Sequence, residues 1–448
     1  MLRIRKIDWS EPGARTDLEA LRETLSIESG QVTEQALKRT IEVFGEPLSP
    51  LSVVRRILDE VRLRGDAAVA KYCQKIDGIE MTPDQFRLAP EEFKAAYDRV
   101  EPAFRDALAV AKGNIERFQR HCLCLAPEPF VRDGVRLETV YRPLRRVGVY
   151  VPGGAAPYPS AALMDVIPAQ VAGCPEIAVT TSPRSLNDYV LAAFHMLGLK
   201  EVYRVGGAQA IGMLAYGTES VPGVDMIVGA GNIFVSLAKR EVFGTVKIDM
   251  YAGPSEILVI ADEASDPDCV AADLLSQAEH YPGAAMLVST SNDLIARVER
   301  AIHNQLIDMP RRDMCVECLE RYGAFIKVAD TDEAVTVANM IAPEHLEILA
   351  SEARQIAARI ENAGTVFIGR NTPEVAGDYV AGPSHTLPTG GTARFSSGLS
   401  VVDFLKRLTF VEYSKESLAA ELDGITTLAR KEGLEAHARA AECRFKKP

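Results

Sequence analysis

The stretch EILVIADEASDPDCVAADLLSQAEHYPGAAMLVST, residues 256–290, determines the predicted fold. Its apolar run EILVIAD predicts a buried strand, and MLVST at its end predicts a second one. Between them, Asp266 and Pro267 are typical of a helix N-cap and first turn, VAADLLSQAEH has helical spacing, and Pro282 ends the helix. A strand, a helix and a strand in this order predict a βαβ unit with parallel strands.

The same alternation extends in both directions along the chain. Short apolar strands are also predicted at 147–151, 176–182, 324–330 and 365–369, with helical segments between them. The chain before about residue 125 predicts amphipathic helices, and the end of the chain predicts helix again. We therefore predict an α/β fold with two Rossmann-like but incomplete parallel-sheet α/β domains, a helical N-terminal segment and a helical C-terminal tail.

These changes in pattern set the predicted domain boundaries. They are a helical arm at 1–45, one α/β domain at 46–146 plus 254–395, a second α/β domain at 147–253, and the helical tail at 396–448.

Composition argues against several classes of protein. The 448 residues carry a formal net charge of −12 and a sequence pI near 5.3, which argues against a nucleic-acid-binding surface. No run approaches the roughly 18 uninterrupted apolar residues of a membrane span, and the N-terminus lacks the apolar core of a secretory signal. Cysteines in such a chain should be reduced thiols, and we interpret the isolated Cys315–Cys318 pair as helix surface or packing. We therefore predict a cytoplasmic protein that binds neither nucleic acid nor membranes.

Gln277 and His280 form the first candidate for chemistry. Their spacing of three residues places both side chains on one face of the predicted helix, as two ligands of one metal ion require. Gln277 also lies on the apolar stripe of that helix, so its amide needs a partner, which a metal ion or a substrate would provide. The alternative from spacing alone is a capping histidine beside a hydrogen-bonded glutamine.

Two other pairs lie in the second half of the chain. Glu344 and His345 would suit a general base with a second carboxylate, although a Glu-His dipeptide is usually a surface feature. Asp378 and His385 lie in the glycine-rich stretch GDYVAGPSH, where flexible backbone brings side chains to a site, although a loop aspartate is normally a turn former.

The C-terminal segment KEGLEAH contains a last pair, Glu432 and His437. By itself, this segment would ordinarily be a charged helix exposed to water.

Three glycine-containing loops follow predicted strands, where parallel sheets bind phosphates. They are VPGG (151–154), VGGAQAIG (205–212) and VGAGN (228–232). None fits the G-x-G-x-x-G pattern, and a Walker lysine loop is also missing. These loops alone therefore predict a nucleotide crevice and do not identify the nucleotide.

Longer segments accompany these residues in an order that belongs to a known family. They are VGVYVPGGAAPYPSAALMDVIPAQVAGC, YRVGGAQAIGMLAYGT, IDMYAGPSEILVIAD, ADLLSQAEH, APEHLEI, GDYVAGPSHTLPTGGTARFSSGLSVVDFLKR and EGLEAHARAAE. Together they resemble histidinol dehydrogenase. The resemblance implies NAD-dependent oxidation of L-histidinol to L-histidine, at the end of histidine biosynthesis, by two successive hydride transfers through an aldehyde held in the site.

The resemblance also implies a role for each candidate residue. One Zn²⁺ per subunit would be bound by Gln277, His280, Asp378 and His437, a nitrogen- and oxygen-rich set suited to zinc. His345 would be the catalytic base, and Glu344 would activate the water that adds to the aldehyde. NAD would be contacted by Tyr150, Gln209 and Asn232. The substrate would be contacted by Ser255, Gln277, His280, His345, Asp378, His385, Glu432 and His437.

The same family is a homodimer with shared active sites. The segments 46–146 and 254–395 would then form the zinc and substrate domain, and 147–253 would form the NAD-binding domain. The tail would cross to the partner subunit, so that Glu432 and His437 complete the neighbour's site.

Three positions depart from the family pattern. The family usually has Asn at the position of Ser384, Pro at that of Ala230, and His at that of Gln119. These departures leave open a paralogue that oxidises another polar alcohol, such as a sulfonated diol, on the same zinc–NAD frame. A catalytically silent nucleotide-binding or assembly protein is disfavoured, because it would have no reason to hold four ligands and an acid–base pair.

Overall fold

In the computed structural model, which describes residues 2–25, 34–124, 126–153, 158–251 and 253–446, the predicted strand–helix–strand unit is confirmed. Strands β9 (Ser255–Ala261) and β10 (Gly283–Ser289) pair in parallel and are connected by helix α11 (Pro267–Ala278). The Asp266 carboxylate caps this helix by accepting from the Asp268 N–H. Both strands are almost entirely buried, as expected for parallel strands covered on both faces.

These elements belong to the larger of two compact units. Unit 1 comprises Met1–Cys122 and Leu144–Phe404, and unit 2 comprises Leu123–Pro143 and Leu405–Pro448. The larger sheet of unit 1 has six parallel strands in the order β1-β11-β10-β9-β12-β13. The four strands of this sheet not yet given are β1 (Arg5–Asp8), β11 (Ala324–Lys327), β12 (His345–Ile348) and β13 (Thr365–Ile368).

A second parallel sheet lies in the same unit. It has five strands in the order β6-β5-β4-β7-β8. They are β4 (Arg146–Val151), β5 (Glu176–Thr181), β6 (Val202–Tyr203), β7 (Met226–Val228) and β8 (Lys247–Ile248). Two parallel sheets with connecting helices confirm the predicted α/β fold class.

The described part of unit 1 contains fifteen more α-helices. They are α1 (Ala14–Leu25), α2 (Glu34–Phe44), α3 (Pro50–Arg64), α4 (Asp66–Tyr72), α5 (Pro90–Arg99), α6 (Pro102–His121), α7 (Pro159–Ala172), α8 (Asp188–Met196), α9 (Gly207–Tyr216), α10 (Ile233–Val242), α12 (Asn292–Gln305), α13 (Arg312–Tyr322), α14 (Thr331–Ile341), α15 (Ala353–Ala357) and α16 (Val375–Tyr379).

The N-terminal elements pack differently from the predicted domains. Helix α3 shares an apolar core with α9 of the smaller sheet, and Ile115 of α6 lies in the core that contains Met164 of α7. In contrast, the first residues of the chain supply β1 to the larger sheet, where Ile7 packs near Leu258. Helix α3 and part of α6 therefore pack with helices of 147–253, although Asn114 of α6 also donates to the Val380 carbonyl oxygen at 2.7 Å. The arm 1–45 is not only helical. The apolar stripe of a helix indicates that it packs, but it does not indicate on which sheet.

Unit 2 corrects the expectation of a helical tail. It contains a three-stranded antiparallel sheet in the order β14-β3-β2, formed by β2 (Phe130–Arg132), β3 (Val135–Pro143) and β14 (Leu405–Tyr413). Helices α17 (Lys415–Lys431) and α18 (Glu435–Glu442) follow. The predicted helices at the end of the chain are present, but a nine-residue strand precedes them.

Two further expectations concern membranes and cysteines. Within the described residues, no helix has the length and apolar character that crossing a bilayer demands. The eight cysteines are free thiols, and Cys315 and Cys318 are both buried on α13. Their burial agrees with a packing role for the C-x-x-C pair.

Candidate active site

The two sheets present the candidate residues at opposite strand ends. In the larger sheet they lie at the amino ends, because Ser255 begins β9 and His345 begins β12. In the smaller sheet they lie at the carboxyl ends, where Tyr150 is next to last in β4 and Asn232 follows β7. Only the smaller sheet therefore follows the rule that ligands bind beyond the carboxyl ends of parallel strands.

Helix α11 ends earlier than the Gln277–His280 spacing predicted. Its last residue is Ala278, so Gln277 lies in the last turn and is buried, whereas His280 lies in the following turn and is exposed. The His280 N–H donates to the Gln277 carbonyl oxygen at 3.0 Å. The two residues are thus connected by a single turn that continues the end of α11.

Helix α13 makes contacts with three consecutive residues of this turn. The Tyr281 hydroxyl donates to the Glu317 carboxylate at 2.7 Å. The Cys318 thiol lies 3.6 Å from the His280 carbonyl oxygen, and an Arg311 N–H lies 3.4 Å from the carbonyl oxygen of Glu279. The orientation of the His280 backbone therefore depends on a neighbouring helix as well as on α11.

His345 is buried at the start of β12. Its Nδ1 lies 3.2 Å from the backbone carbonyl oxygen of Glu256, and its Nε2 lies 3.5 Å from Oε1 of Glu374. Because a carbonyl oxygen can only accept, Nδ1 carries the proton of the neutral ring and Nε2 is unprotonated. Burial lowers the pKa of His345 to about 4, although the Asp378 charge acts in the opposite direction. The ring is therefore a neutral base at pH 7.

Glu344 is buried beside His345, with its Oε2 3.8 Å from the histidine Nδ1. The Glu344 carboxylate accepts from the backbone N–H of Glu256 at 2.9 Å. Burial raises the pKa of Glu344 well above its usual range, and the charges of Glu256, Asp378 and Glu374 add to the rise. Positive charge brought to this place would favour the ionised form.

Glu374 joins this group, although no sequence pattern singled it out. One ligand atom from each of His345, Glu374 and Asp378 lies within 4.8 Å of the others, which is a spacing that one metal ion can bridge. Burial raises the pKa of Glu374, as does Asp378. The spacing of four residues between Glu374 and Asp378 was the available signal, since it places both on one helical face.

His385 completes the part of the site that unit 1 supplies. Its Nδ1 lies 3.2 Å from the backbone oxygen of Asp378 and 3.9 Å from the Asp378 carboxylate. Burial lowers the pKa of His385, against the effect of Asp378. The charge of His280 acts on both His385 and His345, so the three histidines face a common space.

The buried carboxyl groups of this site favour a cation. Burial raises the pKa values of Glu256, Glu344 and Glu374. A divalent ion beside them would favour their ionised forms. The Gln277 side chain is buried in the last turn of α11, and its amide oxygen is the atom that can bind an ion, whereas its Nε2 atom can only donate.

Glu432 and His437 belong to unit 2, whereas the site residues described above belong to unit 1. Glu432 is the C-cap of α17, and His437 lies in α18. Both side chains are exposed. Within unit 2 they are therefore available to bind another molecule.

The candidate nucleotide residues surround the start of α9 and α10. The Tyr150 hydroxyl accepts from the Gly207 N–H at 3.2 Å, and the Asn232 side chain caps α10 by accepting from two backbone N–H groups. Gln209 and Asn232 line an apolar pocket together with Phe44, Ile57 and other residues. The buried Gln209 Oε1 atom has no partner among the residues that the structure describes. Gly154 of the VPGG loop lies outside those residues.

Two of the three departures from the family pattern, Ser384 and Gln119, make local hydrogen bonds. The Ser384 hydroxyl accepts from the Thr386 N–H at 3.1 Å, and the Gln119 Oε1 atom accepts from the Val401 N–H at 2.9 Å. Ala230 is exposed in its loop. None of the three is among the groups that contact His345.

Comparison with known proteins gives a consistent result. The family model described as histidinol dehydrogenase matches residues 48–445. A histidinol dehydrogenase of Rhodopirellula baltica is 43% identical over 447 residues, which cover 98% of this chain and 97% of that protein. One from Geobacillus kaustophilus is 48% identical over 420 residues, with coverages of 92% and 97%. A crystal structure of histidinol dehydrogenase from Elizabethkingia anophelis is similar with a TM-score of 0.89 at 32% identity, covering 99% of this chain and 98% of that one.

Proposed function

Because the chain belongs to the histidinol dehydrogenase family, we propose that it oxidises L-histidinol to L-histidine in two successive transfers of hydride to NAD. As a member of this family the protein is an NAD-dependent oxidoreductase. The substrate, one zinc ion per subunit and the enzyme-held aldehyde between the two steps are parts of the proposal. A cytoplasmic location stays a prediction.

The state of His345 carries this proposal. Oxidation of an alcohol requires a group that takes the hydroxyl proton as hydride leaves. The Nε2 atom of His345 is unprotonated and buried, and it faces the carboxyl group of Glu374 at 3.5 Å. The imidazolium formed by proton transfer would be stabilised by the Glu374 and Asp378 carboxylates. Because the pKa of His345 is low, the imidazolium would release this proton readily before the second oxidation.

Gln277, His280 and Asp378 would hold the zinc ion, together with His437. The buried carboxyl groups fit a divalent ion, and the amide oxygen of Gln277 can serve as a ligand. When bound, zinc would supply polarisation of the substrate oxygen, and NAD would accept the hydride. His280 is set by the turn after α11, so its imidazole can reorient without disturbing that helix.

Glu344 would act in the second half of the reaction. Burial raises the pKa of Glu344, and the neighbouring carboxylates add to the rise, which favours its protonated form in the free protein. A cationic substrate amine and a divalent ion would lower the pKa of Glu344 by their positive charge. The ionised carboxylate could then remove a proton from the water that adds to the aldehyde.

The apolar pocket beside Gln209 and Asn232 would bind part of the dinucleotide. It lies at the amino ends of α9 and α10, where backbone N–H groups favour phosphate. The hydroxyl of Tyr150 is held by the Gly207 N–H, which orients it toward this loop.

We further propose a homodimer in which unit 2 reaches the site of the partner subunit. In unit 2, every residue of β14 after the first is exposed, including Phe410 and Val411. In unit 1, Tyr379 and Val380 are exposed directly after the proposed ligand Asp378. Exposed apolar side chains of this kind mark a protein-binding surface, and a second copy of this chain would cover both.

Mixing two inactive variants tests the crossing. Neither His345→Ala nor His437→Ala should turn over histidinol as a homodimer. If His437 acts across the dimer, a heterodimer of the two variants contains one site with both histidines, and activity should return after subunit exchange. Absence of activity in verified heterodimers would show that each tail serves its own subunit.

An assay of stoichiometry tests the reaction itself. The purified protein should contain one zinc per subunit and form two NADH for each L-histidinol consumed. Zinc without turnover of histidinol, but with turnover of another polar alcohol, would instead support the paralogue. A protein that binds neither zinc nor NAD would contradict both functions.

A further inference from the structure

A buried charged cluster lies outside the groups assigned above. It consists of Asp165 on α7, Lys239 on α10 and Asp249 after β8. Lys239 and Asp249 form an ion pair with almost no exposure, and Asp165 is 1% exposed. Burying three ionisable groups is costly unless each makes specific contacts. The contacts of this cluster therefore indicate what it holds in place.

Two members of the cluster hold the start of the Gly229–Asn232 loop. Lys239 Nζ donates to the Gly229 carbonyl oxygen at 2.7 Å, and the Gly229 N–H donates to the Asp249 carboxylate at 2.8 Å. Gly229 has a φ of +108°, and a Cβ there would overlap the backbone carbonyl oxygen of Tyr150. The loop that carries Asn232 is thus fixed at its first residue.

The third member holds a different loop. The Thr386 hydroxyl donates to Asp165 Oδ1 at 2.6 Å, and Thr386 follows His385 directly in the chain. The Thr386 N–H is in turn taken by the Ser384 hydroxyl at 3.1 Å. Asp165 therefore fixes the backbone on the far side of His385 from Asp378.

Asp165 also abuts the Gly229 loop. Its Oδ2 atom would lie 3.2 Å from a Cβ placed on Gly229, and this oxygen has no hydrogen-bond partner among the described residues. A valine or leucine at this position would avoid the unpaired oxygen. The contacts that an apolar residue could not replace are the hydrogen bond from Thr386 and the position of the carboxyl group beside Gly229.

We propose that Asp165 is a positioning residue that, through Thr386, sets the distance between the His385 loop and the Gly229–Asn232 loop. This inference rests on the proposed function, in which His385 contacts the alcohol and Asn232 contacts NAD. Hydride transfer requires the two reactants at a fixed separation, and a displacement of about 1 Å can cost about 100-fold in rate. The Asp165–Thr386 bond at 2.6 Å restrains the His385 loop, and the other carboxylate oxygen of Asp165 lies beside Gly229.

A matched pair of variants tests the positioning role. Thr386→Val removes the hydroxyl with little change in shape, and Thr386→Ser retains it. In Thr386→Val we expect kcat/KM for histidinol to fall about 10-fold or more, as loss of one buried hydrogen bond allows. The KM for NAD should change by less than about twofold, because Lys239 and Asp249 still hold Gly229. Thr386→Ser should recover most of the lost kcat/KM.

Amide hydrogen exchange provides a readout that does not depend on turnover. Amides of 384–389 should exchange faster in Thr386→Val than in Thr386→Ser, while those of 229–232 keep their protection. Equal exchange at 384–389 in both variants would overturn the proposal. If the wild-type protein does not oxidise histidinol, the proposed function fails, but the exchange comparison still decides the role of Asp165. Should Thr386→Val not fold, Asp165→Ala takes its place with the same expected results.

Discussion

Asp165→Asn should make the protein more stable than the wild type from about pH 4 upward, with the full gain above about pH 7, and leave its stability at lower pH unchanged. Burial raises the pKa of Asp165 from 3.8 to about 7, and the Asp249 charge adds to this, whereas Thr386 and Lys239 act in the opposite direction. In the unfolded chain the same carboxyl group loses its proton near its ordinary pKa of 3.8. Between about pH 4 and pH 7 the folded state therefore binds one more proton than the unfolded state, and stability falls as pH rises.

The size of this effect follows from the shift. A pKa that rises from 3.8 to about 7 corresponds to roughly 4 kcal/mol, at about 1.36 kcal/mol per unit. This is an upper bound for the cost of ionised Asp165 at pH 8. An asparagine keeps the oxygen that accepts from Thr386 but is neutral at every pH.

Thermal unfolding of both proteins at a series of pH values from about 3.5 to about 8.5 measures the effect. The wild-type and variant transitions should coincide below about pH 4, diverge between about pH 4 and pH 7, and differ by several degrees at about pH 8, with the variant higher. Other titrating groups cancel because only the difference between the two proteins is used. A difference that does not change with pH would refute the reasoning, since it would mean that Asp165 keeps one protonation state throughout.

Three further predictions concern the base, the tail and the turn after α11. His345→Ala should lower turnover about 100-fold or more while zinc stays bound, and near-normal turnover would assign the base elsewhere. Removal of residues 430–448 should abolish zinc retention, measured by metal analysis after gel filtration; a truncated protein with stoichiometric zinc and activity would exclude a role for the tail. Tyr281→Phe removes the hydrogen bond between the turn that carries His280 and Glu317 of α13. Because one hydrogen bond contributes about 1 kcal/mol, zinc binding should weaken roughly fivefold in a chelator competition. An unchanged zinc affinity would show that α13 has no influence on the metal site.

The parallel strands were predictable because their residues are nearly all apolar. The runs at 147–151 and 256–262 are strands β4 and β9, and both are buried on both faces. Strand β12 was not predicted, because it has four residues and two of them, His345 and Glu347, are polar. Its burial comes from pairing with strands on both sides, which no local pattern encodes.

Strand β14 was missed for a different reason. Residues 405–413 (LKRLTFVEY) mix charged and apolar side chains without strict alternation, and the expectation of a helical tail included them. Almost the whole strand is exposed, so burial does not explain its formation. Its partner is β3, more than 260 residues earlier in the chain (Tyr413 pairs with Val135), and such a long-range pairing is not readable from one sequence.

Some of the site residues could be selected from the sequence, but their geometry could not. The resemblance singled out His345, Asp378 and His385, and the structure brings their side chains together. Glu374 was overlooked because an acidic residue before a helix is usually a solvated cap. The helix ends two residues before His280, and the pairing of Gln277 and His280 as ligands stays a prediction.

The proposed base is the first residue of a strand inside the six-stranded sheet, paired with Ile257 on one side and Thr365 on the other. Its backbone cannot shift without breaking ladders to two neighbours, so the proton acceptor is as immobile as the core. Any redesign toward a different alcohol would have to leave this imidazole where it is. Such work would have to alter the loop around His385 or the exposed C-terminal helices instead.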